Sequence, residues 1–354
     1  MTRAIVVGLA LVLASCGGSD ARQMLGRGGD RALPGTAVGA EPDSPSTSDS
    51  SEAPVLAVGD SAMVGDWMLR VASVDVDGTD EVLAYNQFNE PPPDGMQYVL
   101  AGLEATYLGE TSAPLWIDLG FTVTGPDGTR FEPWEPSCGV VPDDIDFAGE
   151  AFPGGTVTGA TCWTVDSDVA ADLVMEVVAS GGGLQRPTRF SLDPEAEPVS
   201  GSTSPTDLPR FGLDPVAVGD PVVLGGWQVT VVGVDDDAAE VVLAENQFND
   251  HPVDGYRYVL VELSAQRTAE TAGSFTAEIG AKAVGAARRV AYEGFVRSCG
   301  VIPDPISDRV ETPPGSVATG TLCWQVAEED LSSLVMILAE FTTGDRAQLA
   351  VSRR

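Results

Sequence analysis

The segment NQFNEPPPDGMQYVL, Asn86 to Leu100, returns as NQFNDHPVDGYRYVL, Asn246 to Leu260. Two more segments repeat, one residue further on. SCGVVPDDI (Ser137 to Ile145) becomes SCGVIPDPI (Ser298 to Ile306), and PGGTVTGATCW (Pro153 to Trp163) becomes PGSVATGTLCW (Pro314 to Trp324). The offset is 160 at Trp67 and Trp227 and 161 at Cys138 and Cys299. One net inserted residue over so long a stretch means two copies of one fold, not a solenoid of short repeats. Each copy is about 140 residues, the size of an independent domain.

Each copy reads as β. Trp67 to Val74 alternates large apolar with small or polar residues, and Trp227 to Val234 is richer still in β-branched side chains. Tyr98 to Tyr107, Thr156 to Val165 and Leu173 to Ala179 follow as further strands, with copies in the second half. Helical periodicity is confined to short turns around Asp166 to Asp172 and Ala327 to Ser333. Many short strands between Gly/Pro turns predict two tandem immunoglobulin-like β-sandwich domains, with a small β-barrel as the alternative.

The first residues, MTRAIVVGLALVLASC, read as an export signal. Arg3 precedes an apolar stretch, Ala4 to Ala14, too short to span a bilayer. It ends in Leu13-Ala14-Ser15-Cys16, which resembles the bacterial lipobox. That resemblance implies cleavage before a lipid-modified Cys16, which would anchor the chain to the outer face of the cell membrane. No later segment is apolar enough to cross a membrane. The expected organisation is therefore signal peptide 1–15, lipidated and disordered acidic tether 16–52, first domain 53–192, Pro/Ser-rich linker 193–212 and second domain 213–354. The tether lacks the apolar residues to fold, and as a flexible coil reaches roughly 30–35 Å.

Four cysteines remain. Cys138 and Cys162 lie in the first copy and Cys299 and Cys323 in the second, equally spaced. Export to an oxidising compartment makes one disulfide per copy the economical reading. Metal binding is the rival, and a poor one, since two cysteines without a nearby histidine do not fill a zinc site. Trp163 and Trp324 follow the second cysteine of each pair, a place where a ring packs into a sandwich core against the disulfide.

The formal net charge is −34, from 53 acidic and 19 basic residues, and Lys282 is the only lysine. Nucleic acid and anionic head groups would be repelled. Catalytic signatures are missing: the chain has one histidine, His251, and no G-x-S-x-G, H-E-x-x-H, P-loop or S-x-x-K. No cofactor is expected.

Three groups of residues are candidate sites. Asn86, Gln87, Asn89 and Asp94, repeated as Asn246, Gln247, Asn249 and Asp254, would form a polar site for a sugar or peptide, since amides donate and accept at once. The plainer reading is a structured loop, with Asn and Asp tying down the backbone and Phe88 plugging the core. Asp75, Asp77 and Asp80 suggest a weak calcium site, although Gly78 comes too early for an EF-hand and no glutamate closes the loop; an exposed acidic hairpin turn is the alternative. Outward-facing Trp163 and Trp324 would instead stack on sugars.

One resemblance extends over both copies. Each opens with Val-Gly-Asp (Val58-Gly59-Asp60 and Val218-Gly219-Asp220) before a Trp-bearing strand. A Tyr-Val-Leu strand follows, then P-G-x-x-x-T-G before an apolar strand. These elements resemble the immunoglobulin-like domains of bacterial surface lipoproteins related to the secreted immunoprotective extracellular antigen of mycobacteria. The resemblance implies extracellular adhesion or ligand binding without catalysis. The expected function is thus a lipid-anchored, non-catalytic module that binds or scaffolds envelope or extracellular proteins. A receptor for a glycan or other small polar ligand is the alternative, and a carboxylate-pair hydrolase the least favoured.

Overall fold

The computed structural model describes residues 54–181, 186–199, 208–294, 296–306 and 311–352. The export signal, Cys16, the tether and the middle of the linker lie outside the described residues. Glu52 to Arg354 forms one compact unit. Among the described residues no helix is long and apolar enough to cross a membrane.

The first repeat contributes β1 (Ser61–Val64), β2 (Trp67–Asp75), β3 (Met96–Tyr107), β4 (Ala113–Pro114), β5 (Leu119–Thr124), β6 (Arg130–Phe131), β7 (Glu150–Ala151), β8 (Thr156–Asp166), β9 (Val174–Ala179) and β10 (Thr188–Ser191). The second contributes β11 (Val222–Leu224), β12 (Trp227–Asp235), β13 (Tyr256–Arg267), β14 (Ile279–Val284), β15 (Val317–Ala327), β16 (Val335–Glu340) and β17 (Arg346–Ala350). In the first repeat one sheet runs β1-β2-β3-β8 and another β10-β9-β5-β6, while β4 pairs with β7. In the second the sheets are β11-β12-β13-β15 and β14-β16-β17. All these pairs are antiparallel, and β8 returns from the far end of the repeat to lie beside β3. That is the Greek-key connection of immunoglobulin-like sandwiches.

Alternation in sequence becomes inside and outside in the sandwich. Trp67, Leu69 and Val71 of β2 are buried with Phe121, Val123 and Met175 from the opposing sheet, and Trp227, Val229 and Val231 repeat the pattern. Burying each side chain of this size contributes roughly 1.5–3 kcal/mol. The indole N–H of each leading Trp finds an acceptor. Trp67 Nε1 donates to Asp118 and Trp227 Nε1 to Glu278, each at 3.0 Å. A β-bulge at Ala72, matched at Val232, resets the register against β3 and β13.

Two helices escape the sequence reading. Thr79–Tyr85 (α1) and Ala239–Glu245 (α2) stand where an acidic hairpin turn was expected. Each is seven residues long, too short to show periodicity or to be stable alone. Acidic residues in the first turn favour the helix dipole. One buried residue per helix, Val82 or Val242, docks it against the sheet.

The two repeats are joined by a backbone ladder and a buried ion cluster. Phe152 N donates to Arg289 O and Ala291 N to Glu150 O, both at 2.8 Å, so Val290 pairs with Ala151 across the joint. Tyr292 in turn pairs with Ala283 of β14. The short β4-β7 pair is thereby extended into the second repeat. Val290 enters the core of the first repeat, and Phe152 packs with Val284, Ala291 and Ile337. Phe211, at the end of the linker, closes over Phe152 with ring centroids 5.6 Å apart. Glu150 is buried, and it is met by Lys282 and by Arg346, whose guanidinium is 3.6 Å away. Ser112 completes the cluster, donating to Glu150 and accepting from Arg346.

Position 337 tests the joint, because the first repeat carries Glu176 at the matching point of its sheet. Ile337→Glu would set a second carboxylate opposite Lys282, competing with Glu150 for it, among the apolar Phe152, Phe211 and Val284. Small-angle scattering should show a larger radius of gyration than the parent chain, while circular dichroism still reports folded β-sheet.

Candidate functional site

The repeated Asn-Gln-Phe-Asn segment forms a clipped loop. Asn86 caps α1, and its side-chain oxygen accepts from Phe88 N at 2.9 Å. The Asn89 amide donates to Val82 O and Val140 O, each at 2.7 Å, and its oxygen accepts from Val140 N at 2.8 Å. One side chain thus ties the loop to the helix before it and to the Ser-Cys-Gly turn 51 residues later. Asn246 and Asn249 make the same bonds, the latter to Val242 and Val301. Tyr98 Oη donates to Glu90 O and Tyr258 Oη to Asp250 O, both at 2.8 Å. Burial pushes both phenols above their usual range, with Glu90 and Asp250 adding to it.

The side-chain oxygens of Asn86 and Asn246 and both ends of the Asn89 and Asn249 amides are thus bonded to backbone. Gln87 and Asp94, with Gln247 and Asp254, stay at the surface. Phe88 does not plug the core. It is 81 % exposed, and Phe248 is 82 % exposed. The clip turns Asn89 inward and leaves the preceding ring outward. Val140 and Val301, which receive the clip, are also exposed. Each repeat therefore displays a phenylalanine beside a valine.

Beneath each clip lies a disulfide, Cys138–Cys162 in one repeat and Cys299–Cys323 in the other, each closing a sequence separation of 24. The first joins Val82, Tyr98, Leu100 and Val141 in a small cluster on the outer face of the sheet. Trp163 and Trp324 are buried in the main cores. They do not pack on the disulfides. Adjacent residues of a strand point to opposite faces, so Cys162 serves the outer cluster and Trp163 the inner core.

The acidic candidates also resolve locally. Asp75 Oδ1 accepts from Asp77 N at 3.0 Å, and Asp80 lies on α1. Among the described residues no group of three or more His, Cys, Asp or Glu side chains converges to hold a metal ion.

A second feature was invisible in the sequence. Where the repeats meet, a cleft of about 590 Å³ opens between the outer face of the first repeat's β1-β2-β3-β8 sheet and the segment Arg288–Arg297 of the second. Ser73, Gly102, Glu104 and Thr158 lie on one wall, and Tyr256, Arg288, Arg297 and Gln325 on the other. Arg288 and Arg297 sit over the Tyr256 ring, 5.7 and 5.0 Å from its centroid, and Arg288 donates to its hydroxyl at 2.7 Å. Glu293 links cleft to joint. Burial raises its pKa, with Lys282 opposing, and burial lowers that of Lys282, which Glu293 opposes and Arg346 reinforces.

No family model matches the chain, and no curated protein matches it. Two solved structures are similar to part of it. One is a conserved hypothetical protein from Bacillus anthracis, with 16 % identity, a TM-score of 0.26, and coverage of 38 % of this chain and 94 % of that one. The other is an uncharacterized β-sandwich protein from Clostridium difficile 630, with 9 % identity, a TM-score of 0.26, and coverage of 40 % and 97 %.

Asn89→Ala removes three hydrogen bonds from a partly exposed loop. It should destabilise the first repeat by about 2 kcal/mol, seen as a lower thermal midpoint and faster amide exchange at Val140. Asn249→Ala should do the same to the second.

Proposed function

We propose that this protein is an exported, lipid-anchored module of the cell envelope that binds other proteins through the aromatic tips of its two repeats and carries out no chemistry itself. One observation carries the reading: Phe88 and Phe248 are almost wholly exposed at matching positions of the repeated Asn-Gln-Phe-Asn segment. An exposed ring held out by a dedicated amide clip is suited to filling an apolar recess on a partner. Burying each ring contributes roughly 1.5–3 kcal/mol.

The surroundings name the partner's chemistry. Glu81, Glu90 and Asp94 flank the first tip in the sequence, and Glu245, Asp250 and Asp254 the second. A recess with a basic rim complements such a tip, and charge of this kind chiefly speeds association and sets salt dependence. Two tips on one joined scaffold allow both to engage a partner with two recesses, so weak contacts act jointly. The lipobox-like run ending at Cys16 and the tether support a position outside the membrane, as does the resemblance to surface lipoproteins related to the mycobacterial antigen. A glycan receptor built on the Asn and Gln residues is the weaker reading, because the Asn89 and Asn249 amides are already bonded to backbone at both ends.

The test uses the two-repeat chain from Ala53 as bait for solubilised envelope proteins, followed by affinity measurement with the purified partner. Phe88→Ser and Phe248→Ser should each weaken binding about tenfold, the size of one buried ring's contribution. The double variant should lose binding while its thermal midpoint is unchanged. Undiminished affinity of the double variant refutes the reading.

A further inference from the structure

The inter-repeat cleft is built from places where the two copies have parted. On the first repeat's wall the residues are small. Ala72 stands where the second repeat has Val232, Gly102 where it has Glu262, and Ala160 where it has Thr321. Ser73 occupies the space a side chain at Gly102 would take, since a Cβ there would meet the Ser73 hydroxyl. On the second repeat's wall the residues are large and cationic. Tyr256 replaces Met96, Arg297 replaces Pro136, and Arg288 lies where the second copy gains its extra residue. One copy has hollowed its sheet while the other has grown an Arg-Tyr-Arg stack to face it.

The walls are also polarised. The first repeat offers the carboxylates of Asp75, Glu81, Glu104 and Asp143, with the hydroxyls of Ser73 and Thr158 between them. The second offers two guanidinium groups in a chain of net charge −34, and its one carboxylate there, Glu293, interacts with Lys282 of the joint. Arg70, Arg189, Arg257, Arg267 and Arg346 are paired with carboxylates, and Arg288 and Arg297 are not among these pairs. Stacking on Tyr256, with Arg288 also bonded to its hydroxyl, fixes the two planes and leaves the Arg297 fork and the remaining Arg288 donors for a ligand carboxylate, which Arg binds through charge-assisted hydrogen bonds.

We propose that this cleft binds a short peptide with free termini, its carboxylate on Arg288 and Arg297 and its ammonium among the carboxylates of the first repeat. Ser73 and Thr158 are placed for its backbone amides. A volume of about 590 Å³ is within the usual range of ligand pockets. This site is separate from the Phe88 and Phe248 tips and does not depend on their role.

Calorimetric titration of the two-repeat chain with trialanine, N-acetyl-trialanine and trialanine amide tests the assignment. Trialanine should bind saturably, and each blocked form about tenfold or more weakly, the loss of one charge-assisted contact. Arg297→Gln should weaken trialanine but leave the amide unchanged. The double change Ser73→Gly with Gly102→Glu installs the second repeat's own Gly233–Glu262 pair, which that sheet accommodates, and should fill the cleft and abolish binding. No saturable heat up to about 10 mM, the weak end of measurable affinity, overturns the proposal. Equal affinity for the free and blocked peptides overturns it as well.

Discussion

A single buried carboxylate governs the arrangement of this molecule. Glu150 belongs to the first repeat, yet both cations on it, Lys282 and Arg346, belong to the second. A carboxylate taken out of water without a partner costs several kcal/mol, and removing one partner of a buried pair is strongly destabilising. The first repeat can therefore keep this edge dry only with the second repeat in place. The same contact brings Val290 beside Ala151 and Phe152 among Val284, Ala291 and Ile337. Charge, backbone pairing and apolar burial all fix one placement of the repeats, and the cleft exists because of it.

Duplication of a sandwich carries a hazard, because a head-to-tail contact between identical copies can be repeated without end. This chain avoids it by making the copies unequal. The first repeat's acceptor edge uses the Phe152 N–H, whereas the second has Pro313 at that position, which has no N–H to donate. The second repeat's docking face uses Lys282, Val284 and Ile337, whereas the first has Thr122, Thr124 and Glu176. A further copy arriving at either free face would meet the wrong chemistry. An exposed strand edge is in this way kept from templating another chain.

Much of the framework was legible because it is local. Trp67 and Trp227 open alternating strands, Pro-Gly pairs mark turns, and equal cysteine spacing in the two copies pairs Cys138 with Cys162 and Cys299 with Cys323. Asn86 and Asn89 read as loop-structuring residues because such side chains bond nearby backbone. The direction of Phe88 was not legible. Propensity prefers an aromatic ring inside, and the ring faces out because Asn89 holds the chain to Val82 and Val140, a contact made across 51 residues. Helix α1 was hidden by its brevity. The joint left a signal in retrospect: one lysine in the whole chain, and an isoleucine where the other copy has glutamate. Such differences between copies mark the surfaces on which their surroundings differ.

Similarity and difference between the repeats thus separate two kinds of constraint. Joint and cleft are singular, so each copy needs only its own half, and the residues diverge: Gly102 against Glu262, Pro136 against Arg297. The clip, the disulfide beneath it and the exposed ring occur twice with the same bonds. A loop kept only for stability would tolerate Ser or Lys at position 88, where water surrounds the side chain and an exposed ring gains little by packing. Both copies instead present Phe at the one place where the fold makes least use of it. Stability accounts for Asn89 and Asn249, whose amides hold three backbone groups apiece. It does not account for Phe88 and Phe248, which gain their packing only when something else covers them.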